Sequence, residues 1–292
     1  FGNIATGNSS VIADRVGSRC GDFLLTEAGF GADMGAERFF NIKCRTSGLH
    51  PDAAVLVVTV RALKTHSGRY KIVAGKPLPP DMLADNPEDV LAGADNLRKH
   101  IEIVRTFGVS PIVALNVFPD DHDDEIEAVR RVAEQEGAHF AASTHVVDGG
   151  NGAMELARAV VDACDQPTDF RYTYDLADSL ETKIEKIATE VYGADGIDIS
   201  PQAAKDLAHF EELGYGRLPV VMAKTHLSLS HDPQLKGRPT GWRLPVREVR
   251  AAVGAGYVYA ICGNMRTMPG LGAHPAAERI DIDDNGQVVG LF

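Results

Sequence analysis

The sequence lacks closely spaced cysteines, long apolar runs and an excess of basic residues. Its four cysteines, Cys20, Cys44, Cys164 and Cys262, form no Cys-x-x-Cys pair, which argues against a metal cage or a disulfide framework. No apolar run approaches the ~20 residues that a membrane-spanning helix needs, and no signal peptide is recognisable. We therefore expect reduced thiols, a cytoplasmic location and no membrane partner.

Basic residues are outnumbered by acidic ones, 29 to 41, which gives a formal net charge of −12 at pH 7. Because binding to a phosphate backbone requires clustered Lys and Arg, this balance argues against a nucleic-acid partner and against an anionic membrane surface. Hydrophobic residues make up 44% of the 292 residues. That fraction and that length are typical of a globular protein with one large core or two smaller ones.

Short apolar runs alternate with amphipathic segments, which predicts an α/β fold with mainly parallel sheets flanked by helices. The expected strands are Asp22–Thr26, Ala53–Val60, Pro111–Val117, His139–Ser143, Leu218–Ala223 and Ala252–Ile261. The expected helices begin at Asn86-Pro87, at a capping box of Asp178 and Glu181, at Ser200-Pro201, and near 124 and 152. After Gly263 the pattern changes, and we expect a small C-terminal α+β layer.

The stretch FLLTEAGFGADMGAERFF at 23–40 places Gly29 and Gly31 among the acidic residues Glu27, Asp33 and Glu37. One interpretation is a tight turn between a strand and a helix, which requires flexible residues. The other is a site for an anion or a metal–nucleotide complex, since glycines let backbone N–H groups approach a phosphate and carboxylates hold Mg²⁺. The residues alone favour the turn, because short glycine patterns are common.

Polar side chains cluster where the predicted strands end, which is where open α/β sheets bind ligands. We expect them to line one crevice; they are Glu27, Arg61, Lys64, His66, Asn116, Asp120, Asp121, His145, Lys224 and His226. Phe118, in ALNVFPDD, is either a hydrophobic lid over the core or a stacking platform for a flat ligand. No GxSxG or HExxH motif is present, and no segment fits the phosphate-binding pattern GxxxxGK(S/T), since Pro77 follows the Gly75-Lys76 pair.

Several segments together resemble one family, formate–tetrahydrofolate ligase. They are GNIATGNSSVIADR at 2–15, LLTEAGFGADMGAERFFNIKCR at 24–45, VRALKTHSG at 60–68, NLRKHIE at 96–102, ALNVF at 114–118, KIEKIATEVYGAD at 183–195, MAKTHLSLSHDP at 222–233, KGRPTGW at 236–242, VREVRAAVGAGYVY at 246–259 and TMPGL at 267–271. The resemblance runs in order along the whole chain. It is therefore far more specific than any single motif.

The resemblance implies a P-loop NTPase-like fold and ATP-dependent ligation of formate to tetrahydrofolate, through formyl phosphate, to give 10-formyltetrahydrofolate. It also implies Mg²⁺, allows for a monovalent cation, and suggests a homotetramer. The resemblance gives catalytic roles to Glu27, Lys64 and Lys224, metal binding to Glu27 and Asp33, and substrate binding to Gly29, Gly31, Asn116, Phe118, Asp121 and Val146.

Two features depart from the family pattern. The family's P-loop segment lies upstream of Phe1, so we expect this chain to be the C-terminal part of the enzyme and to be inactive alone. The family usually sandwiches the pterin between a Phe, matched by Phe118, and a Trp, whose position here is Val146 in THVVDGG. Stacking on Phe118 would then be one-sided.

The resemblance also divides the chain. We expect residues 1–105 to complete a nucleotide-binding domain, 106–250 to form a folate-binding domain and 251–292 to form a small C-terminal domain. The alternative function is a non-catalytic folate- or nucleotide-binding module that lacks the P-loop half. An in-frame GxxxxGK(S/T) upstream would favour the enzyme. A third hypothesis, an unrelated P-loop-like regulator, is opposed by the resemblance along the whole chain.

Overall fold

The computed structural model describes residues 2–72, 77–265, 274, 278–285 and 288–290. The Gly75-Lys76 pair, the TMPGL segment and the final two residues, Leu291 and Phe292, lie outside this part of the chain. Within it, strands alternate with helices in an α/β arrangement, which confirms the predicted fold class. None of the helices described is both long enough and apolar enough to cross a bilayer.

The α-helices vary from short turns to a helix of 20 residues. They are α1 (Val11–Gly17), α2 (Arg45–Ser47), α3 (Val60–His66), α4 (Pro80–Leu83), α5 (Pro87–Thr106), α6 (Asp123–Gln135), α7 (His145–Asp148), α8 (Met154–Cys164), α9 (Leu180–Lys186) and α10 (Pro201–Glu212). Wider π-helical turns cover Ala32–Ala36, Phe39–Cys44 and Ile187–Val191. Tighter 3₁₀ turns cover Gly2–Ile4, Gly149–Ala153, Tyr215–Arg217 and Val253–Ala255.

The described strands form two larger sheets and one short antiparallel pair. The first sheet is wholly parallel, in the order β1 (Ala53–Val58), β2 (Ser110–Asn116), β3 (His139–Ser143). The second has the order β4 (Ile197–Ile199), β6 (Leu244–Ala252), β7 (Tyr257–Cys262), β5 (Val220–Ala223). Its β6 and β7 are antiparallel, and its two outer pairs are parallel. The short pair is β8 (Asp281–Ile282) and β9 (Val288–Val289).

Local signals explain the boundaries of the long helices. The side chain of Asn86 accepts a hydrogen bond from Asp89 N–H and caps α5, as predicted, and Pro87 occupies the first turn. Ser200 caps α10 in the same way, by accepting from Ala203 N–H. These caps satisfy backbone donors that have no partner inside the helix. The prediction of both helix starts is therefore confirmed.

The interior of the described part of the chain has two hydrophobic cores, and α5 contributes to both. Leu97 and Ile101 pack with the first sheet and with α6, whereas Ile103, Val104 and Phe107 join the core around the second sheet. Because one helix buries side chains in both cores, it holds the two sheets in one framework. The helix also crosses the predicted boundary at 105/106, and β6 crosses the one at 250/251. The three-domain division itself stays a prediction.

Several sequence predictions about elements were wrong. Asp22–Thr26 is exposed and forms no strand, although its apolar run predicted one. The expected strand Ala252–Ile261 is a β-hairpin connection followed by β7, because Gly256, at φ +78°, turns the chain between β6 and β7. Ser179, not Asp178, caps α9 through Thr182 N–H. The strands β4 and β6 were not predicted.

Candidate functional site

Residues 26–31 form a non-helical segment that leads into the π-helical turn Ala32–Ala36. A Cβ atom on Gly31 would lie 2.6 Å from Cε1 of His100, and the Ala32 N–H donates to His100 Nδ1 at 3.2 Å. A Cβ on Gly35 would lie 2.2 Å from the Gly29 carbonyl oxygen. Glycine is therefore required at Gly31 and Gly35 because the turn packs closely, and both have ordinary negative φ angles.

Lys224 joins this turn to the end of β5. Its Nζ donates to Asp33 Oδ2 at 2.6 Å, to the Ser228 carbonyl at 2.6 Å and to the Thr225 carbonyl at 3.1 Å. Three bonds use all three protons of the ammonium group. Burial raises the pKa of Asp33, but the charges of Lys224, His100 and Arg38 and the hydrogen bond from Lys224 together outweigh that effect, and the pKa falls below its usual value. We call residues 26–33 with Lys224 the lysine-anchored turn.

A second acidic group, Glu37, is buried beside the lysine-anchored turn. Its Oε1 accepts from Asn41 Nδ2 at 2.8 Å, and Asn41 Nδ2 also donates to Thr173 Oγ1. Glu37 Oε2 and the Tyr192 hydroxyl have no hydrogen-bond partner among the described residues. Burial raises the pKa of Glu37 to about 7, against the opposing hydrogen bond from Asn41 and charge of Arg38. This carboxyl group therefore titrates near neutral pH.

Phe30 has an unusual conformation within the lysine-anchored turn. Its φ is +69°, and it is the one non-glycine residue with positive φ in the described part of the chain. The ring is exposed at 46% and stacks on His226 with 4.8 Å between ring centroids and 21° between planes. Such a conformation costs free energy and is concentrated at functional positions. Sequence reasoning missed Phe30, and its only signal was an aromatic residue between two glycines.

The remaining predicted substrate residues lie at the carboxyl edge of the first sheet. Asn116 pairs with Ser143 across β2 and β3, and the Val117 N–H donates to the Ser143 carbonyl. Phe118 follows directly and is half-buried. Asn116 Oδ1 is buried without a partner among the described residues, which leaves an acceptor available to a ligand N–H. We call Asn116, Phe118, Asp121 and Val146 the sheet-edge site.

Val146 and Asp121 complete the sheet-edge site in different ways. Val146 lies on α7, directly after β3, and is exposed at 75%. Asp121 Oδ2 accepts from Phe118 N–H at 2.9 Å, so it fixes the loop that carries the aromatic ring. Burial raises the pKa of Asp121, despite that hydrogen bond and the nearby Arg61.

Lys64 lies inside the protein, under the sheet-edge site. It forms an ion pair with Glu125, and both side chains are buried. Its Nζ also donates to the carbonyls of Met82 at 2.9 Å and Ala84 at 2.7 Å. These contacts hold α3 against α4 and α6. The geometry thus favours a structural role for Lys64 over the catalytic role that the resemblance implies.

The predicted metal residues, Glu27 and Asp33, are not arranged as a metal site. Glu27 is exposed, while Asp33 is buried and its Oδ2 is bound to Lys224. Over the described ranges no group of three or more His, Cys, Asp or Glu side chains is placed to hold a metal ion. The residues described here therefore do not fit a Mg²⁺ site.

The polar strand ends do not form a single edge. Asn116 and His145 follow strands of the first sheet, whereas Lys224 and His226 follow β5 of the second sheet, and Glu27 follows no strand. The expectation that Glu27 ends a strand was wrong, because Asp22–Thr26 is not a strand, and the other strand ends belong to two different sheets of the described chain. The structure instead brings together two groups, the lysine-anchored turn and the sheet-edge site.

An apolar face surrounds the free edge of β1. Among the described strands β1 pairs only with β2. A cavity of about 720 Å³ lies between the start of β1, residues 21–32 and the end of α8. Exposed apolar side chains line this cavity, among them Phe23, Leu24, Leu25 and Val55, and Val57 is exposed farther along β1. An edge strand beside exposed apolar side chains is a surface to which further polypeptide can bind.

The fold and these two groups define an α/β protein with a candidate ligand site at the carboxyl edge of a parallel sheet. The family model described as formate–tetrahydrofolate ligase matches residues 1–292. The chain belongs to the formate–tetrahydrofolate ligase family.

Curated relatives agree with this membership. The chain is similar to formate–tetrahydrofolate ligase of Cutibacterium acnes, at 82% identity, and of Saccharopolyspora erythraea, at 69%. It is 60% identical to formate–tetrahydrofolate ligase 3 of Rubrobacter xylanophilus. Each comparison covers 100% of this chain and 52% of the relative. The chain thus spans about half the length of the curated relatives that it matches.

Proposed function

We propose that this chain supplies the folate-binding side, and part of the nucleotide side, of an enzyme that ligates formate to tetrahydrofolate. In the proposed reaction a formate oxygen attacks the γ-phosphorus of ATP, ADP leaves, and formyl phosphate forms. N10 of tetrahydrofolate then attacks the formyl carbon, phosphate leaves, and N10 loses a proton. We also propose that the enzyme is cytoplasmic and homotetrameric, as the family resemblance suggests.

Phe118 is the observation that supports the folate side best. Its half-buried ring stands at the carboxyl edge of a parallel sheet, where ligands of such sheets bind. Asn116 Oδ1 lies two residues away and can accept from a ring N–H of a pterin. Val146 offers apolar contact on the neighbouring strand end, without an aromatic face. In this proposal these residues bind and orient the heterocycle. They take no part in the bond-forming steps, which occur at groups outside the sheet-edge site.

The lysine-anchored turn supports the nucleotide side. We propose that Phe30, backed by His226, presents its ring to a substrate, and that Lys224 holds the turn in this shape from inside. Lys224 and Lys64 then act by positioning, because their protons are bound to protein oxygens. Asp33 and Glu27 do not fit Mg²⁺, so this proposal assigns them no metal chemistry, and it assigns the role of a P-loop to none of the residues that the structure describes.

The first test is Phe118→Ala in the full-length enzyme that contains this chain. We expect a folate KM about five-fold higher, because the lost ring stacking is worth roughly 1 kcal/mol, with the KM for ATP unchanged. If Phe118 is instead a core residue, the variant should lose about 3–5 kcal/mol of stability and activity without selectivity for folate. The melting temperature, measured beside both KM values, separates the two.

Val146→Trp is the complementary variant. Because Val146 is largely exposed, a larger side chain fits without disturbing the core. We expect a lower folate KM when the new ring supplies the second stacking face.

A stable Phe118→Ala enzyme whose folate KM equals that of the wild type would disprove the stacking role.

A non-catalytic binding module is the second candidate function. It is favoured by one observation, which is that the 292 residues contain no GxxxxGK(S/T) segment. We propose instead that the apolar face around β1 binds the half of the enzyme that the curated relatives have beyond the matched region. Under that proposal the other half of the enzyme supplies the residues that bind the phosphates of ATP. A non-catalytic binding module, in contrast, would bind folate but never release ADP.

This proposal predicts that residues 1–292 alone give no formate-dependent ADP release. Co-expression with the remaining half of the Cutibacterium acnes relative should restore release. Val57→Glu, on the exposed edge strand, should prevent that restoration, whereas Val253→Glu, on the exposed turn between β6 and β7, should not. Formate-dependent ADP release by the 292 residues alone would contradict the proposal, and so would equal effects of the two variants.

A further inference from the structure

The guanidinium group of Arg61 covers one face of the Phe118 ring. The distance from the guanidinium carbon to the ring centroid is 4.2 Å. Arg61 lies in the first turn of α3, immediately after β1, and β1 runs parallel to the strand that leads to Phe118. A cation at this distance from an aromatic face is attracted by the negative face of the ring. Two neighbouring strand ends thus combine in one stacked pair.

Acidic residues of the Phe118 loop hold this pair in place. Arg61 Nη2 donates to Asp120 Oδ2 at 3.1 Å. Asp121 accepts from the Phe118 N–H, and the Asp121 N–H donates back to the Phe118 carbonyl at 3.0 Å. Arg61 Nε is buried without a hydrogen-bond partner among the described residues. The guanidinium is therefore held by Asp120 and by the ring itself.

This arrangement has a consequence for binding. A guanidinium on one face leaves only the other face of Phe118 for a planar ligand. The cation also draws electron density away from that free face, which then stacks best on an electron-rich ring such as an aminopyrimidine. Fixing the ring before binding reduces the side-chain entropy that is lost on binding. Both effects should strengthen binding of the heterocycle without touching the reacting atoms.

We propose that Arg61 is a positioning residue that backs Phe118 and selects an electron-rich, planar heterocycle on the opposite face of the ring. The inference rests on the proposed folate role of the sheet-edge site and adds a specificity determinant to it. Arg61 acts through Phe118 and not on the substrate. Asp120 orients Arg61 and should therefore share its effect in part.

The test measures KM for tetrahydrofolate, KM for ATP and kcat of the full-length enzyme with Arg61→Met, which keeps the length of the side chain but removes the cation. We expect a three- to ten-fold rise in folate KM, with kcat and the KM for ATP unchanged. Arg61→Lys should restore part of the difference, because it restores the charge but not the planar group. Asp120→Asn should give a smaller rise.

Arg130→Met is the matched control. The Arg130 guanidinium carbon lies 4.5 Å from the Phe140 ring, and its side chain is 34% exposed, compared with 26% for Arg61. The substitution Arg130→Met removes a similar cation–ring contact from the same sheet. This contact is at Phe140 of β3, away from the sheet-edge site. Arg130→Met should leave the folate KM unchanged, so a general loss of stability can be separated from loss of positioning.

The outcomes separate the inference from the proposed function. If Phe118→Ala raises the folate KM and Arg61→Met does not, the inference is wrong and the stacking role stands. If Arg61→Met lowers the folate KM, the guanidinium occupies the ligand's face and the inference is again wrong. If neither variant changes the folate KM of a stable enzyme, the folate role of Phe118 fails together with the inference.

Discussion

Replacing Lys224 by methionine should destabilise the protein by about 3–5 kcal/mol. The substitution leaves Asp33 buried without its positive partner, and an uncompensated buried charge is the main cost of breaking a buried ion pair. It also leaves the carbonyls of Ser228 and Thr225 without their lysine donor. The free energy of unfolding, measured by urea denaturation at pH 7, should show this loss.

Two further variants serve as controls for the stability loss expected of Lys224→Met. The double variant Lys224→Met with Asp33→Asn should recover part of the stability, because no unpaired charge remains. Arg243→Met removes a partner from the exposed pair of Arg243 with Asp198 and should cost less than about 1 kcal/mol. Equal losses for Lys224→Met and Arg243→Met would show that the Asp33–Lys224 pair contributes no more than a surface pair.

Glu37→Gln should stabilise the protein at pH 8 by as much as about 3 kcal/mol and have little effect at pH 4.5. Burial raises the pKa of Glu37 from 4.5 to about 7, so the folded protein holds the proton more tightly than the unfolded chain. Stability from this group is therefore present at low pH and lost as pH rises from about 4.5 to 7. Glutamine stays neutral and removes that loss.

The measurement is the difference in unfolding free energy between Glu37→Gln and wild type from pH 4.5 to pH 8. A difference curve is needed because other buried groups also titrate. Arg38, Arg45 and Asp33 face Glu37, and burial lowers the pKa values of His100 and His66, the latter to about 4. Because of these two histidines, the free energy of unfolding should decrease as pH falls below about 6.5. A difference that does not change with pH would show that the pKa of Glu37 is the same in the folded and unfolded states.

Much of the secondary structure followed from local patterns. The β2 and β3 strands are short runs of apolar residues, and both lie close to their predicted bounds. The start of α5 at Asn86-Pro87 and of α10 at Ser200-Pro201 depends on side chains next to the backbone groups that they cap. Such interactions reach only a few residues along the chain. The sequence therefore contains all the information that these boundaries need.

The apolar run at 22–26 shows where local patterns were insufficient. Phe23, Leu24 and Leu25 have the composition of a buried strand, yet the described chain leaves them exposed and unpaired. A strand needs a neighbour, and the partner of this run is not determined by its own residues. The same reason explains β4, which has three residues and forms by pairing with β6.

The sequence by itself determined the family, the α/β class and the residue types at the sheet-edge site, where Asn116 and Phe118 directly follow a predicted strand. Only the tertiary structure decided which charged groups are paired. Lys224 binds Asp33, 191 positions away, and Lys64 binds Glu125, so two lysines with expected catalytic roles are buried in ion pairs. Burial and pairing depend on which distant segments the fold brings together. No local sequence pattern specifies which residues far apart in the chain become neighbours.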